Sequence, residues 1–256
     1  LMSDSLSYRQ HVRALLILGL PLIGSHLAQF VVTMTDTVML GWYDVDALAA
    51  VVLGGTFFFV LFIFGSGFAQ AVMPVVASAA ASGQDRQVRR ATRMAMWLSL
   101  MFGVVAMPIF IFAQDLLVSI GQDPELAVLA GSYLKIAGWG LIPALLVMVL
   151  KSYLAALERA QIVLWITVGA AIVNALLNYA LIFGNWGAPE LGITGAAIAS
   201  VAVQVFSLIL MVIYTALVTP EHALYLRLWR PDWEAFRNIF SLGLPIGLTL
   251  LAEVGL

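Results

Sequence analysis

A lone carboxylate, Asp36, stands in the otherwise apolar run from Gly19 to Gly41. At helical spacing, His26, Gln29, Thr33, Asp36 and Thr37 fall on one face of that run, with leucines, valines and methionines around the rest. Further on, Asn174 and Asn178 lie one helical turn apart. Two amides supply oxygens to a hard cation and N–H groups to a carboxylate. If brought together, Asp36, Thr33, Thr37, Asn174 and Asn178 make an oxygen-rich site. Such a site suits sodium, or a carboxyl group whose protonation is set by burial and hydrogen bonding. Packing between helices explains an asparagine pair equally well, and no residue spacing shows that the two segments touch.

These groups sit in a chain of 256 residues that is 62% hydrophobic and only 10% charged. Soluble domains carry about 25% charged residues, so the composition is that of a polytopic, all-α membrane protein. A net charge of −2 and the lack of a basic stripe argue against nucleic acid as a partner. Without cysteine there is no disulfide, thiolate metal site or cysteine nucleophile. His11, His26 and His222 are too scattered for a helical metal pair, and no hydrolase or nucleotide-binding motif occurs. An enzyme is therefore not expected, nor any cofactor. The segment Leu1 to Arg13 is polar, and no removable signal peptide is read there.

A membrane span takes about 20 mostly apolar residues. Six segments qualify, at roughly 15–40, 48–80, 94–114, 128–150, 161–184 and 194–218, and a seventh opens near Ile239. The second is long enough to tilt or protrude. After the stop Ser82-Gly83, a short basic helix, Arg86 to Arg93, leads into the third. Asp123 reads as an N-cap with Pro124 behind it. Gly195, Ala199 and Ala202 lie at close-packing spacing in the sixth. Gln70 and Gln204 are read as bonding across helices, and Glu221 and Asp232 as solvated loop charges.

Every lysine and arginine but Lys135 falls in connections on one side, Lys151 and Arg159 among them. The positive-inside rule makes that side, and the N-terminus, cytoplasmic. The absence of cysteine fits a bacterial inner membrane. Lys135 is expected to snorkel at the outer end of the fourth span.

Leu18-Gly19-Leu20-Pro21 recurs as Leu242-Gly243-Leu244-Pro245, 224 positions later. At that offset Ser25 stands opposite Thr249, and Gln29 opposite Glu253. Six spans between copies make them parallel repeats, each opening on a proline-bearing helix, with Pro21 the expected bend of the first. The expected layout is a first six-helix lobe over 1–224, with an inter-lobe loop and the start of a second lobe over 225–256. Glu253 would then face a cavity shared with the polar stripe of the first helix, since a carboxylate facing lipid costs roughly 2.5–3.5 kcal/mol or more.

Four stretches together give a resemblance: Leu18 to Pro21; Thr35-Asp36-Thr37-Val38-Met39-Leu40-Gly41; Gly192 to Ala199; and Trp229-Arg230-Pro231-Asp232 before the second Gly-Leu-Pro. In order and spacing the chain resembles the multidrug and toxic compound extrusion (MATE) transporters. The resemblance implies twelve helices in two lobes, with this chain supplying the first lobe and the start of helix seven. It implies export of organic cations or other toxic small molecules across the bilayer, in exchange for sodium or protons, with the second lobe as the partner of the first. It assigns Asp36 to ion coupling, Pro21 to a helix hinge, Asn174 and Asn178 to the fifth-helix polar pair, and Glu253 to a second-lobe cation site incomplete here. Asn178 stands where a DinF-like branch usually carries aspartate, which favours the NorM-like branch. The alternative is a related two-lobe flippase of a lipid-linked precursor, which needs several cations in its cavity for a pyrophosphate; only Lys135 is available to it.

Overall fold

In a bilayer each backbone N–H and C=O must be satisfied within its own segment, and a helix does this without help from neighbours. A computed structural model describes residues 7–256, so the first six positions of the polar segment Leu1 to Arg13 lie outside the described residues. The chain folds into α1 (Tyr8–Tyr43), α2 (Val45–Gln70), α3 (Val72–Ala81), α4 (Asp85–Ile111), α5 (Ala113–Ser119), α6 (Pro124–Ala137), α7 (Leu141–Ala156), α8 (Ala160–Phe183), α9 (Ile193–Val218) and α10 (Trp233–Val254), with no strand among the described residues. Among the described residues seven continuous or once-broken helical stretches are long and apolar enough to cross a membrane. Val105 and Leu217 are 70% and 75% exposed on their outer surface, an arrangement water would penalise and lipid does not. This is a multi-pass membrane protein.

Two of the expected spans are not single helices, and proline explains both breaks. The second divides at Ala71 into α2 and α3 because Pro74, in the first turn of α3, cannot donate to Gln70 and its ring crowds that carbonyl. The fourth divides at a 3₁₀ turn, Gly138–Gly140, ahead of Pro143, which bears the same relation to Trp139. Proline does not interrupt α1: the helix runs on through Pro21, and the Ser25 hydroxyl donates to the Pro21 carbonyl at 2.9 Å. At the equivalent place in α10, Thr249 donates to Pro245 at 2.8 Å. The two Leu-Gly-Leu-Pro stretches are thus each followed by the same hydroxyl-to-carbonyl bond.

The separate basic helix expected over Arg86 to Arg93 does not exist. Asp85–Ile111 is one helix, because nothing between Arg93 and Met94 breaks the ladder. Ser82-Gly83 does stop α3, with Gly83 at φ +70°, and Asp123 does cap α6 by accepting from Glu125 N at 2.9 Å.

The segment between α9 and α10 is also more ordered than its charges suggest. Arg93 donates to the carbonyls of Leu224 and Leu226, and Trp97 Nε1 to that of Leu228 at 2.6 Å. Arg90 grips Asp232 with two nitrogens, one of them at 3.0 Å, and reaches Glu234 at 3.0 Å. Asp232 is therefore not a solvated loop charge. It is an ion-pair partner and the N-cap of α10, accepting from Ala235 N at 3.1 Å. Glu221 does stay exposed.

Helix α10 lies against α2 and α4. A Cβ on Gly67 would collide with the backbone of Gly243 and Gly247, so α2 and α10 cross backbone to backbone. Gly195 approaches the backbone of Leu181 as closely, which lets the start of α9 pack on the end of α8. Among the described residues the buried core runs in two large clusters and a small third one of Ala50, Leu117, Ala127 and Ala130. Of the large ones, one centres on Phe68, Leu98, Leu150 and Tyr153, the other on Leu40, Phe110, Leu134 and Leu145.

Candidate functional site

Helix α8 buries one side at steps of three and four: Val163, Ile166, Thr167, Ala170, Asn174, Asn178 and Ile182. Asparagine in that stripe demands a partner, and α1 lies alongside to supply it. Asn174 donates its amide to Asp36 Oδ1 at 2.8 Å, and Asn178 donates to the same oxygen. Both amides are 1% exposed, while Asp36 is half-buried. The polar pair and the lone acid are thus one constellation, joining positions 138 and 142 residues apart.

Asp36 also lines a cavity of about 170 Å³ inside the bundle. Gln29 and Thr33 reach it from α1, Tyr133 from α6, Thr167 and Asn174 from α8, and Ser200, Gln204 and Ser207 from α9. Asn178 sits behind the acid rather than on the cavity wall. Its Oδ1 is buried and has no donor among the described residues. With Asp36 Oδ1 already accepting twice, the remaining carboxylate oxygen and this orphan amide oxygen are the acceptors left for a proton or a hard cation.

The two threonines contribute less. Thr33 lines the cavity but spends its proton on Gln29 O at 3.3 Å, and Thr37 donates to Thr33 O at 2.9 Å and is not on the wall. Pro21 is buried in α1 beneath this region of the helix, fifteen positions before Asp36. Glu253 is exposed in the last turn of α10 and does not line the cavity that holds Asp36. Among the described residues no group of three or more histidines and carboxylates is placed to hold a metal ion.

Sequence reasoning misplaced two cavity residues. Lys151 is not a loop cation: α7 continues to Ala156, and Lys151 lines the cavity from within that helix. The signal was the buried Tyr153 and Leu154 just beyond it, which extend the apolar pattern past the charge. Gln204 lines the cavity and has no hydrogen bond to another helix among the described residues, so the cross-helix reading fails for it. Lys135 is exposed and away from the cavity, so the ammonium available there is that of Lys151. A third group was missed altogether. Tyr153 bonds to Thr219 Oγ1 at 2.9 Å and to His222 Nδ1, and His222 Nε2 lies 3.5 Å from Asp85.

Known proteins resemble this chain in sequence and in fold. A family model described as MatE covers residues 21–180. A probable multidrug resistance protein NorM of Agrobacterium fabrum is 47% identical over 256 residues, covering 99% of this chain and 55% of that protein. One of the same name from Rhizobium meliloti is 46% identical over 252 residues, covering 98% and 54%. The chain spans about half the length of the curated relatives it matches. Among solved structures, an outward-facing multidrug resistance MATE family transporter of the MOP superfamily superposes with a TM-score of 0.81 at 22% identity, covering 93% of this chain and 52% of that one. A eukaryotic MATE transporter gives 0.85 at 18%, covering 94% and 53%. Likeness at that identity speaks to the fold alone.

Proposed function

Because the chain belongs to the MatE family, we propose that the protein of which it makes up about half exports organic cations or other toxic small molecules by antiport with sodium or protons. The observation that carries this reading is the Asp36 carboxylate, held by Asn174 and Asn178 at the wall of a polar cavity in an apolar bundle. An ionisable group inside a membrane protein is costly to maintain and marks an ion or substrate path.

In this mechanism substrate occupies the cavity, and arrival of the coupling ion at Asp36 and the orphan Asn178 oxygen drives release. Coupling requires the ion to bind one facing state more tightly than the other. Residues 1–224 form the first lobe, and 225–256 the inter-lobe loop and the opening of the second. Glu253 belongs to the second lobe's own cation site. The bonds at Ser25 and Thr249 support that repeat, since both copies deploy a hydroxyl at the same place. Pro21 is the hinge of α1. The protein sits in a bacterial inner membrane with its N-terminus in the cytoplasm. That orientation still rests on the connecting-segment cations once Lys151 is removed from their number. The flippase alternative gains nothing from the relatives, and the single ammonium of Lys151 does not make a pyrophosphate site.

The test is export of a cationic dye by the full-length protein in efflux-deficient cells and in proteoliposomes, under imposed sodium or pH gradients. Gradient-driven export that falls at least tenfold in a normally expressed Asp36→Asn variant is expected. Export unchanged by that substitution overturns the assignment of Asp36, and absence of gradient-driven export overturns the function.

A further inference from the structure

Besides the polar cavity there is an apolar groove of about 330 Å³, which shares no lining residue with it. Met96, Trp97 and Leu100 of α4 line it, as do Leu208 and Val212 of α9. Helix α7, which packs on both, contributes Leu146. Only two lining side chains carry an N–H or O–H group, and both are already spent. Trp97 Nε1 donates to Leu228 O at 2.6 Å, and the Tyr225 hydroxyl bonds to that of Thr215. What remains is hydrocarbon. Met101 on α4 and Ile209 on α9 are each half exposed, so the helices that form the groove already present apolar surface to lipid.

One end of the groove is basic. Arg89 and Arg93 precede Trp97 by two turns and one turn on the same face of α4. Arg227 lies between the groove residues Tyr225 and Leu228, and its carbonyl accepts from Arg230 N at 3.0 Å, so one tight turn carries both arginines. The charges of Arg89, Arg227 and Arg230 all bear on Arg93, as does that of Asp232. Nearby acids do not balance them: Arg90 takes both Asp232 and Glu234, and Arg93 is spent on backbone carbonyls. Among the described residues no ion pair involves Arg89, Arg227 or Arg230. Between the last two, Trp229 is 77% exposed, and an exposed indole is characteristic of the headgroup level of a bilayer.

We propose that this groove seats an acyl chain of an anionic phospholipid, whose phosphate is held by Arg227 and Arg230 of the turn and Arg89 of α4. Guanidinium presents paired donors that match phosphate oxygens, and the dry groove below takes the chain. A zwitterionic lipid fits the groove but brings its own cation, and so leaves the arginines in excess. Bound there, the lipid fastens the segment between α9 and α10 against α4. The proposal rests on the chain's place in a membrane and not on the transport reading, so either can fail without the other.

The experiment titrates the full-length protein, purified in a neutral detergent, with phosphatidylglycerol and with phosphatidylcholine of the same chains, and counts bound lipids by native mass spectrometry. The tightest phosphatidylglycerol is expected to bind at least tenfold more tightly than phosphatidylcholine. Arg227→Gln/Arg230→Gln, which alters two exposed side chains, should cut that preference to within twofold. Arg9→Gln/Arg13→Gln, which removes the same charge at the start of α1 and off the groove wall, should leave it. Val212→Trp, which fills the groove, should weaken phosphatidylglycerol at least fivefold. A wild type that retains neither lipid, or does not distinguish them, overturns the proposal. So does a preference that survives the Arg227/Arg230 change, or one lost equally with Arg9 and Arg13, which marks general attraction to a charged surface. Unchanged affinity in a folded Val212→Trp protein also overturns it. Should that variant fail to fold, the headgroup without chains, glycerophosphoglycerol, decides on wild type. Failure to displace the lipid at hundredfold excess is expected, and displacement makes this a phosphate site and overturns the proposal.

Discussion

Asn174 Nδ2 lies 2.8 Å from Asp36 Oδ1, and this bond ties α1 to α8 across 138 positions of chain. Hydrogen bonds to a charged group contribute about 1.5–3 kcal/mol, so the pair fixes the carboxylate against α8. Asn174→Ala and Asn178→Ala are each expected to lower the initial rate of gradient-driven dye export about tenfold or more at normal expression. Rates within twofold of wild type would mean that the amides only pack.

Gly67 is where α2 and α10 touch backbone to backbone. A larger side chain there has to push the helices apart, and overpacking typically costs 1–3 kcal/mol. Gly67→Leu is expected to lower the thermal midpoint of the detergent-solubilised protein by several degrees. Gly247→Ala should act in the same direction, and the pair less than additively because they share one contact. An unaltered midpoint in Gly67→Leu would show that α10 does not rest on α2.

The Arg90 guanidinium holds the Asp232 carboxyl below the usual carboxylate range, helped by the Ala235 N–H. A depressed carboxyl stabilises the fold fully above its unfolded value, about 3.9, and the contribution disappears as pH falls through the lower folded value. Both side chains are partly exposed, so the pair is worth up to about 1 kcal/mol. The gap in thermal midpoint between wild type and Asp232→Asn should therefore be constant from pH 7 to pH 5 and narrow below pH 4. A gap that widens on acidification would contradict the pairing.

Tyr153 is fully buried and its hydroxyl serves both Thr219 and His222. Tyr153→Phe leaves those groups without it, at a cost of about 1–3 kcal/mol. Thermal melts of Tyr153→Phe, His222→Phe and the double variant should give a double-mutant cycle in which the pair loses less than the sum. Strict additivity would show that the two side chains act independently.

The helices themselves were readable because the bilayer leaves a chain few options. Lipid cannot satisfy backbone polar groups, so apolar length alone marks a helix, and 161–184 and 194–218 fall within a residue of α8 and α9. Boundaries failed where a charge was mistaken for an end. Lys151 closed the expected fourth span early, and Arg86 to Arg93 were split from the third, because hydropathy cannot distinguish a solvated cation from one enclosed by neighbouring helices. The breaks at Ala71 and at Gly138–Gly140 had a legible cause in Pro74 and Pro143, which an apolar count does not register.

By itself the amino-acid sequence determined that the protein is helical and membrane-embedded, that a Leu-Gly-Leu-Pro stretch recurs 224 positions later, and that Asp36, Asn174 and Asn178 are its unusual polar residues. All of this is local, set by composition and helical period. Only the tertiary structure decided that Asn174 and Asn178 meet Asp36 on a single oxygen, that Lys151 and Gln204 share its cavity, and that Asp232 is held by Arg90. These relations depend on which helix packs against which and at what rotation. No residue carries that information alone, because it is the outcome of the whole bundle packing together.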